Sequence, residues 1–238
     1  MKKQIPNILT LLNLFSGCIA VSIAFQSNFK AVAIWVAIAA LFDFLDGMAA
    51  RLLKAFSPIG KELDSLADVV SFGVAPASAV FMLLRDFSLF PGYLAPLHPW
   101  IPYMAFLIPV FSAFRLAKFN IDGRQTISFT GLPTPACGLF WIGYSYGMAG
   151  AVSGNENLFY LTAGLIILLS LLMISDIPMF SLKIKKLTFK GNEKPLILVT
   201  LMIVSVAFFG LGGIAWGIVA YILLSVLSCA KQSTPSSR

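Results

Sequence analysis

Four aspartates stand where a membrane segment has least room for charge. Asp43 and Asp46 close one strongly apolar run, followed by Gly47, Ala50 and Arg51, and Gly60, Asp64 and Asp68 open the next. A lone carboxylate at the centre of a spanning helix costs roughly 2.5–3.5 kcal/mol, so four of them require something that offsets their charge. At about 100° per residue, Asp43, Asp46, Gly47 and Ala50 fall at i, i+3, i+4 and i+7 and share one helix face. Gly60, Asp64 and Asp68 fall at i, i+4 and i+8 and share another. Opposed, the two faces make a four-carboxylate cup whose small residues let a ligand reach the helix backbone. An all-oxygen donor set without histidine or cysteine suits a hard divalent cation, Mg²⁺, Mn²⁺ or Ca²⁺, one or two per site. Two such ions can clamp the attacking and leaving oxygens of a phosphoryl displacement. Arg51, about 80° round the helix from Asp43, stands at the edge of the cup, in reach of a phosphate. Structural ion pairs among Asp46, Arg51, Lys54 and Lys61, or a proton path, use the same residues, and the helical geometry alone leaves them open.

The elements that must hold this cup are membrane helices. Of 238 residues, 58% are hydrophobic and 11% charged, with a mean hydropathy of +0.89, which excludes an ordinary soluble domain. Apolar runs near 8–26, 31–50, 62–84, 96–117, 133–152, 157–175, 195–210 and 212–230 give an expected all-α bundle of about eight transmembrane helices. The whole chain, 1–238, reads as one integral-membrane domain, with a polar tail at 231–238. Asn7, Thr10 and Asn13 interrupt the first apolar run, which is expected to stay as a span and not to be cleaved as a signal.

The net charge of +7 is spread through short loops, as orientation signals are, and does not point to nucleic acid. Lys2, Lys3, Arg51, Lys54, Lys61, Arg115, Lys118, Arg124, Lys183, Lys185, Lys186, Lys190, Lys194, Lys231 and Arg238 fall on one side, and only Lys30 and Arg85 on the other. That bias places both termini and the aspartates on the cytoplasmic side of the cell membrane. The loop from Lys183 to Lys194 suits contact with anionic headgroups. Cys18, Cys137 and Cys229 lack metal-ligand spacing and read as small apolar fillers. His98, the one histidine, sits in an outer loop and is given no role.

The pattern Asp43-x-x-Asp46-Gly47-x-x-Ala50-Arg51, eight residues, Gly60-x-x-x-Asp64-x-x-x-Asp68 resembles, at all eight defining positions and the full spacing, the signature of the CDP-alcohol phosphatidyltransferases. The resemblance covers about residues 1–140, the expected catalytic part. It implies transfer of a substituted phosphate from a CDP-linked donor to an alcohol, with release of CMP. It also implies that Asp43, Asp46 and Asp64 are metal ligands and Asp68 the general base or a shared ligand. Asp46, Gly47, Ala50, Arg51 and Gly60 would then line the nucleotide pocket. Pro6-Asn7-x-x-Thr10-x-x-Asn13 is similar to the family's first helix. Its three polar residues, Asn7, Thr10 and Asn13, share a face suited either to donor contacts or to helix–helix hydrogen bonding. A homodimer is the family's implied assembly.

The stretches 57–76, Phe114-Arg-Leu-Ala-Lys-Phe-Asn120 and Phe129-Thr-Gly-Leu-Pro-Thr-Pro-Ala136 resemble the family's serine-using branch, which implies CDP-diacylglycerol and L-serine as substrates. Serine carries a carboxylate that wants a fixed cation. Arg115 can hold it in bidentate fashion, with Lys118 at i+3 in support or facing the phosphates. Topology anchoring is the plainer role for both. Two rivals stand beside this reading. One is the same chemistry with glycerol 3-phosphate or an inositol phosphate as acceptor, and the other is a cation- or proton-coupled transporter built on the same acids.

Overall fold

The computed structural model describes residues 4–87, 96–121, 129–151, 156–179 and 193–232. It is a helical bundle, and its surface is inverted relative to that of a soluble protein. In α1 (Gln4–Ala24) the buried face is Pro6, Thr10, Asn13, Gly17, Ala20 and Ala24, small or polar at every turn. Ile5, Ile8, Leu11 and Phe15 point outward. Without a hydrophobic force between helices in lipid, small side chains allow close backbones and polar ones bond across the interface. α2 (Phe29–Leu52) packs along α1 and buries Val32, Ala33, Val36, Ala39 and Asp46.

The turn after α2 is sharply made. Lys54 takes φ 49°, and Ser57 caps α3 (Pro58–Asp68), accepting the Gly60 N–H at 3.1 Å with Pro58 at the helix start. The chain then runs through a π-helical segment, Val69–Val74, into α4 (Ala75–Arg85). The cause is local. Pro76 has no N–H for the carbonyl of Phe72, and a proline ring crowds the carbonyl four residues back. The turn widens, and Ala75 N–H bonds Val70 O instead.

A 3₁₀ turn, Ile101–Phe106, leads into α5 (Leu107–Ile121). α6 (Thr134–Met148), α7 (Glu156–Ile174), α8 (Glu193–Phe209) and α9 (Gly213–Gln232) complete the bundle. A two-residue antiparallel pairing, β1 (Phe129–Thr130) with β2 (Pro178–Met179), ties the entry to α6 to the exit from α7. Gly131 there has φ +71°, and a side chain would run into the backbone of Met173 and Ser175. α8 and α9 form a hairpin about the turn 210–212, with Gly213 against Ser205 and Gly217 against Met202.

Among the described residues, six stretches are long and apolar enough to cross a membrane: Gln4–Ala24, Phe29–Leu52, Pro58–Arg85, Ile101–Ile121, Asn157–Ile174 and Ile197–Leu227. The expectation of eight differs at two places. α6 has 15 residues, about 22 Å at 1.5 Å per residue, short of a hydrocarbon core of about 30 Å. The two expected final spans lie in one apolar stretch, Ile197–Leu227, that folds back at 210–212 as the separate helices α8 and α9. Several cations behind the expected orientation, Lys2, Lys3, Arg124, Lys183, Lys185, Lys186, Lys190 and Arg238, lie outside the described residues, as does most of the polar tail. Cys18 and Cys137 are free thiols, and Cys137 is buried.

Candidate active site

One end of the bundle gathers the start of α1, the end of α2, the start of α3 and the end of α5. Lys61 Nζ donates to Asn120 O at 2.9 Å, and Asn120 Nδ2 to Ser65 Oγ at 2.9 Å, fastening α5 to α3. Here carboxylate oxygens of Asp43, Asp64 and Asp68 lie within 4.8 Å of one another. Three like charges so close, in a membrane helix bundle, repel strongly unless protons or a cation neutralise them. The set is all oxygen, and Asp68 Oδ1 is buried with no hydrogen-bond partner. Both facts fit a hard divalent cation.

Asp46 stands apart from that set of three. It is 6% exposed, and Thr10 Oγ1 donates to its Oδ2 at 2.6 Å across the α1–α2 interface. Asp43 and Asp46 share a helix face, but three residues advance Asp46 about 4.5 Å along the axis. That advance brings it opposite Thr10.

Beside the acids opens a cleft of about 250 Å³. Asn7, Thr10, Gly47, Ala50, Arg51, Gly60 and Asp64 all line it, joined by Ser57 and Lys61. Sequence spacing had singled out the first seven. Of the expected nucleotide contacts only Asp46 is not on the wall; it lies behind Thr10. Asp64 belongs both to the cleft and to the three-carboxylate set. The small residues have spatial reasons. A Cβ on Gly60 would lie 2.9 Å from both Asn7 Oδ1 and Ser57 Oγ, and one on Gly47 would lie 3.5 Å from the Arg51 guanidinium. Arg51 Nε donates to Gly47 O at 2.9 Å, which curls the guanidinium back over the helix end at the cleft.

Asp68 is deeper, 8% exposed, at the last position before the π-helical segment. Arg115 is buried near it, close enough for their charges to interact. Arg115 Nη1 donates to Thr134 Oγ1 at 3.2 Å, while its Nε has no partner. Lys118 does not join this group; it pairs with Asp176 at 2.9 Å on the exposed side of α5. The joint role expected for Arg115 and Lys118 therefore divides, because only Arg115 turns inward. Asn13 and Thr134 belong to the neighbourhood; the sequence had placed Asn13 on the donor-facing side of α1 with Asn7 and Thr10 and given Thr134 no role. Asn13 lies on the same α1 face as Asn7 and Thr10, and that spacing was its signal. Thr134 sits in the 129–136 stretch, with no local signal of its partner.

The floor of the site is held by close backbone approaches. Ser71 Oγ donates to Asn13 O at 3.1 Å. A Cβ on Gly17 would lie 2.9 Å from Ser71 Cα, and one on Gly138 would lie 2.6 Å from Phe72 O. The π-helical segment is thus gripped by α1 and α6 just beyond Asp68.

Comparison with known proteins agrees with this geometry. A family model described as CDP-alcohol phosphatidyltransferase matches residues 3–175. The chain is 35% identical over 237 residues to the CDP-diacylglycerol–serine O-phosphatidyltransferase of Helicobacter pylori (strain J99 / ATCC 700824), covering 93% of this chain and 92% of the relative. The protein of that name from Bacillus subtilis (strain 168) is 33% identical over 159 residues, 66% of this chain and 85% of the relative. The archaetidylserine synthase of Methanothermobacter thermautotrophicus is 33% identical over 175 residues, 73% and 68% respectively.

Proposed function

Because the chain belongs to the CDP-alcohol phosphatidyltransferase family, we propose that it transfers the phosphatidyl group of CDP-diacylglycerol to L-serine, giving phosphatidylserine and CMP. The observation that carries this reading is Asp64, shared between a cleft lined by the motif's small residues and a set of three converging carboxylates.

In the reaction the serine hydroxyl oxygen attacks the phosphorus that bears the diacylglycerol. The bond from that phosphorus to the bridging oxygen of CMP breaks, and CMP leaves with the electron pair. The hydroxyl proton passes to the Asp68 carboxylate and then to water, so each turnover releases one CMP and one proton. Asp43, Asp64 and Asp68, with Asp46 behind them, are the residues to hold Mg²⁺ or Mn²⁺. Such an ion, when bound, supplies positive charge against the pyrophosphate and the departing CMP. Thr10 fixes Asp46. Arg51 and Lys61 line the cleft with positive charge, which suits phosphates. Gly47, Ala50 and Gly60 keep the wall open for the cytidine and its diphosphate. Arg115, anchored by Thr134, orients the serine carboxylate.

The distribution of cations supports a site on the cytoplasmic side with the donor's acyl chains left in the bilayer, and the family resemblance supports a homodimer. The test is CMP release from CDP-diacylglycerol by purified protein in mixed micelles, with L-serine, glycerol 3-phosphate and inositol phosphate in turn. Turnover with serine is expected. Turnover with a phosphorylated acceptor in its place would overturn the serine assignment, and no CMP release with any alcohol would overturn the transfer.

A further inference from the structure

The buried polar atoms around Asp68 are unevenly satisfied. Asn13 is 0% exposed. Its side-chain amide lies against the Asp68 carboxylate as a hydrogen-bonding neighbour, while its Oδ1 meets no donor. Asp68 Oδ1 is likewise unbonded, as is Arg115 Nε on α5. Buried side-chain amides almost always find partners, because an unpaired donor or acceptor loses its water without return. Three of the unpaired atoms, Asn13 Oδ1, Asp68 Oδ1 and Arg115 Nε, lie on α1, at the end of α3 and on α5, about one carboxylate that belongs to the three-acid set. Their types are also complementary to one another: an amide oxygen, a carboxylate and a guanidinium.

We propose that Asn13 is a substrate-binding residue of the acceptor subsite, its Oδ1 accepting a hydrogen bond from the ammonium of the amino-acid acceptor. This rests on the reading that the acceptor is serine. A zwitterion with a hydroxyl needs three handles. Asp68 takes the hydroxyl proton, Arg115 takes the carboxylate, and the ammonium needs a neutral acceptor that does not compete for the cation as a further carboxylate would. Asn13 is the group so placed. Its position is fixed at the main chain, where its carbonyl oxygen accepts from Ser71 Oγ at 3.1 Å, three residues beyond Asp68. One turn further along α1, Gly17 lets that contact close. A carboxamide held beside Asp68 also has an Nδ2 donor free to keep the ionised base in register.

The experiment compares Asn13→Ala and Asn13→Asp with the unaltered chain in mixed micelles, measuring KM for L-serine, KM for CDP-diacylglycerol, and inhibition by 3-hydroxypropanoate, which has only hydrogen where serine has its ammonium. Loss of a hydrogen bond to a charged group raises the serine KM about tenfold to a hundredfold in Asn13→Ala. The donor KM stays within about twofold, and the 3-hydroxypropanoate inhibition constant is unchanged. Asn13→Asp, with the same shape and acceptor oxygens, binds serine better than Asn13→Ala does. An unaltered serine KM, equal shifts for serine and 3-hydroxypropanoate, or donor and serine KM rising together with a fall in melting temperature would each overturn the role. If the unaltered chain shows no serine-dependent turnover, the acceptor reading itself fails. That outcome is distinct from a serine-dependent enzyme indifferent to Asn13.

Discussion

Thr10 and Asp46 meet across the first two helices: Thr10 Oγ1 donates to Asp46 Oδ2 at 2.6 Å, with Asp46 6% exposed. The same hydroxyl has a second acceptor in its own helix, Pro6 O at 3.0 Å, so its one proton lies between the two. A buried carboxylate held by so short a hydrogen bond is sensitive to its loss. Thr10→Val keeps the shape and removes the hydroxyl. It should raise the KM for CDP-diacylglycerol about tenfold or more, equivalent to roughly 1.5–3 kcal/mol for a hydrogen bond to a charged group. Thr10→Ser should stay within a few-fold of the unaltered chain. Steady-state kinetics at fixed serine checks both.

Asp43 and Asp64 are in mutual reach with Asp68, and on the proposed reading they hold a cation together with it. Alanine at either should abolish turnover and lower the affinity for Mn²⁺ measured by calorimetry, with excess metal recovering at most a trace. Near-normal activity in either variant would contradict the three-acid site.

Gly138 and Gly17 grip the π-helical segment that follows Asp68. An alanine at Gly138 would bring its Cβ to 2.6 Å from Phe72 O, a backbone atom with little room to yield. Overpacking of this kind costs about 1–3 kcal/mol. Gly138→Ala should lower kcat about tenfold or more through displaced Asp68, while the KM for CDP-diacylglycerol, set chiefly by the cleft on the far side of Asp64, changes little. A variant with normal kcat and only a lower melting temperature would show that the contact serves packing alone.

Arg115 and Lys118 should part company in kinetics as they do in space. Arg115→Lys loses the bidentate geometry and should raise the serine KM about tenfold to a hundredfold. Lys118→Ala breaks an exposed pair with Asp176, worth about 0–1 kcal/mol, and should leave both KM values nearly unchanged. Equal effects from the two substitutions would contradict the division.

What could be read in advance follows the reach of helical periodicity. Asn7, Thr10, Gly47, Ala50, Arg51, Gly60 and Asp64 line one cleft because residues on one face of a helix stay together whatever the helix packs against. Pairings between helices have no such local signal. Nothing near Asp46 announces Thr10, nothing near Arg115 announces Thr134, and Lys118 meets Asp176 only because the end of α7 returns to the same end of the bundle. Pro76 marks an irregular helix in any sequence, but a kink, a break and a wider turn are equally consistent with a proline alone. The π-helical outcome depends on Gly138 and Gly17 leaving space around residues 71 and 72. The eight expected spans are not all matched for a related reason. Hydropathy records apolar length, and it does not register that α6 stops after 15 residues.

Purified protein in mixed micelles, supplied with CDP-diacylglycerol, a divalent cation and radiolabelled L-serine, tests the assignment most directly through the ratio of labelled lipid to released CMP. Equal molar yields are expected, both lost on chelation of the metal and both absent from Asp64→Ala. CMP released without labelled lipid, or labelled lipid formed undiminished by Asp64→Ala, would contradict a single site in which that aspartate joins the nucleotide cleft to the acids.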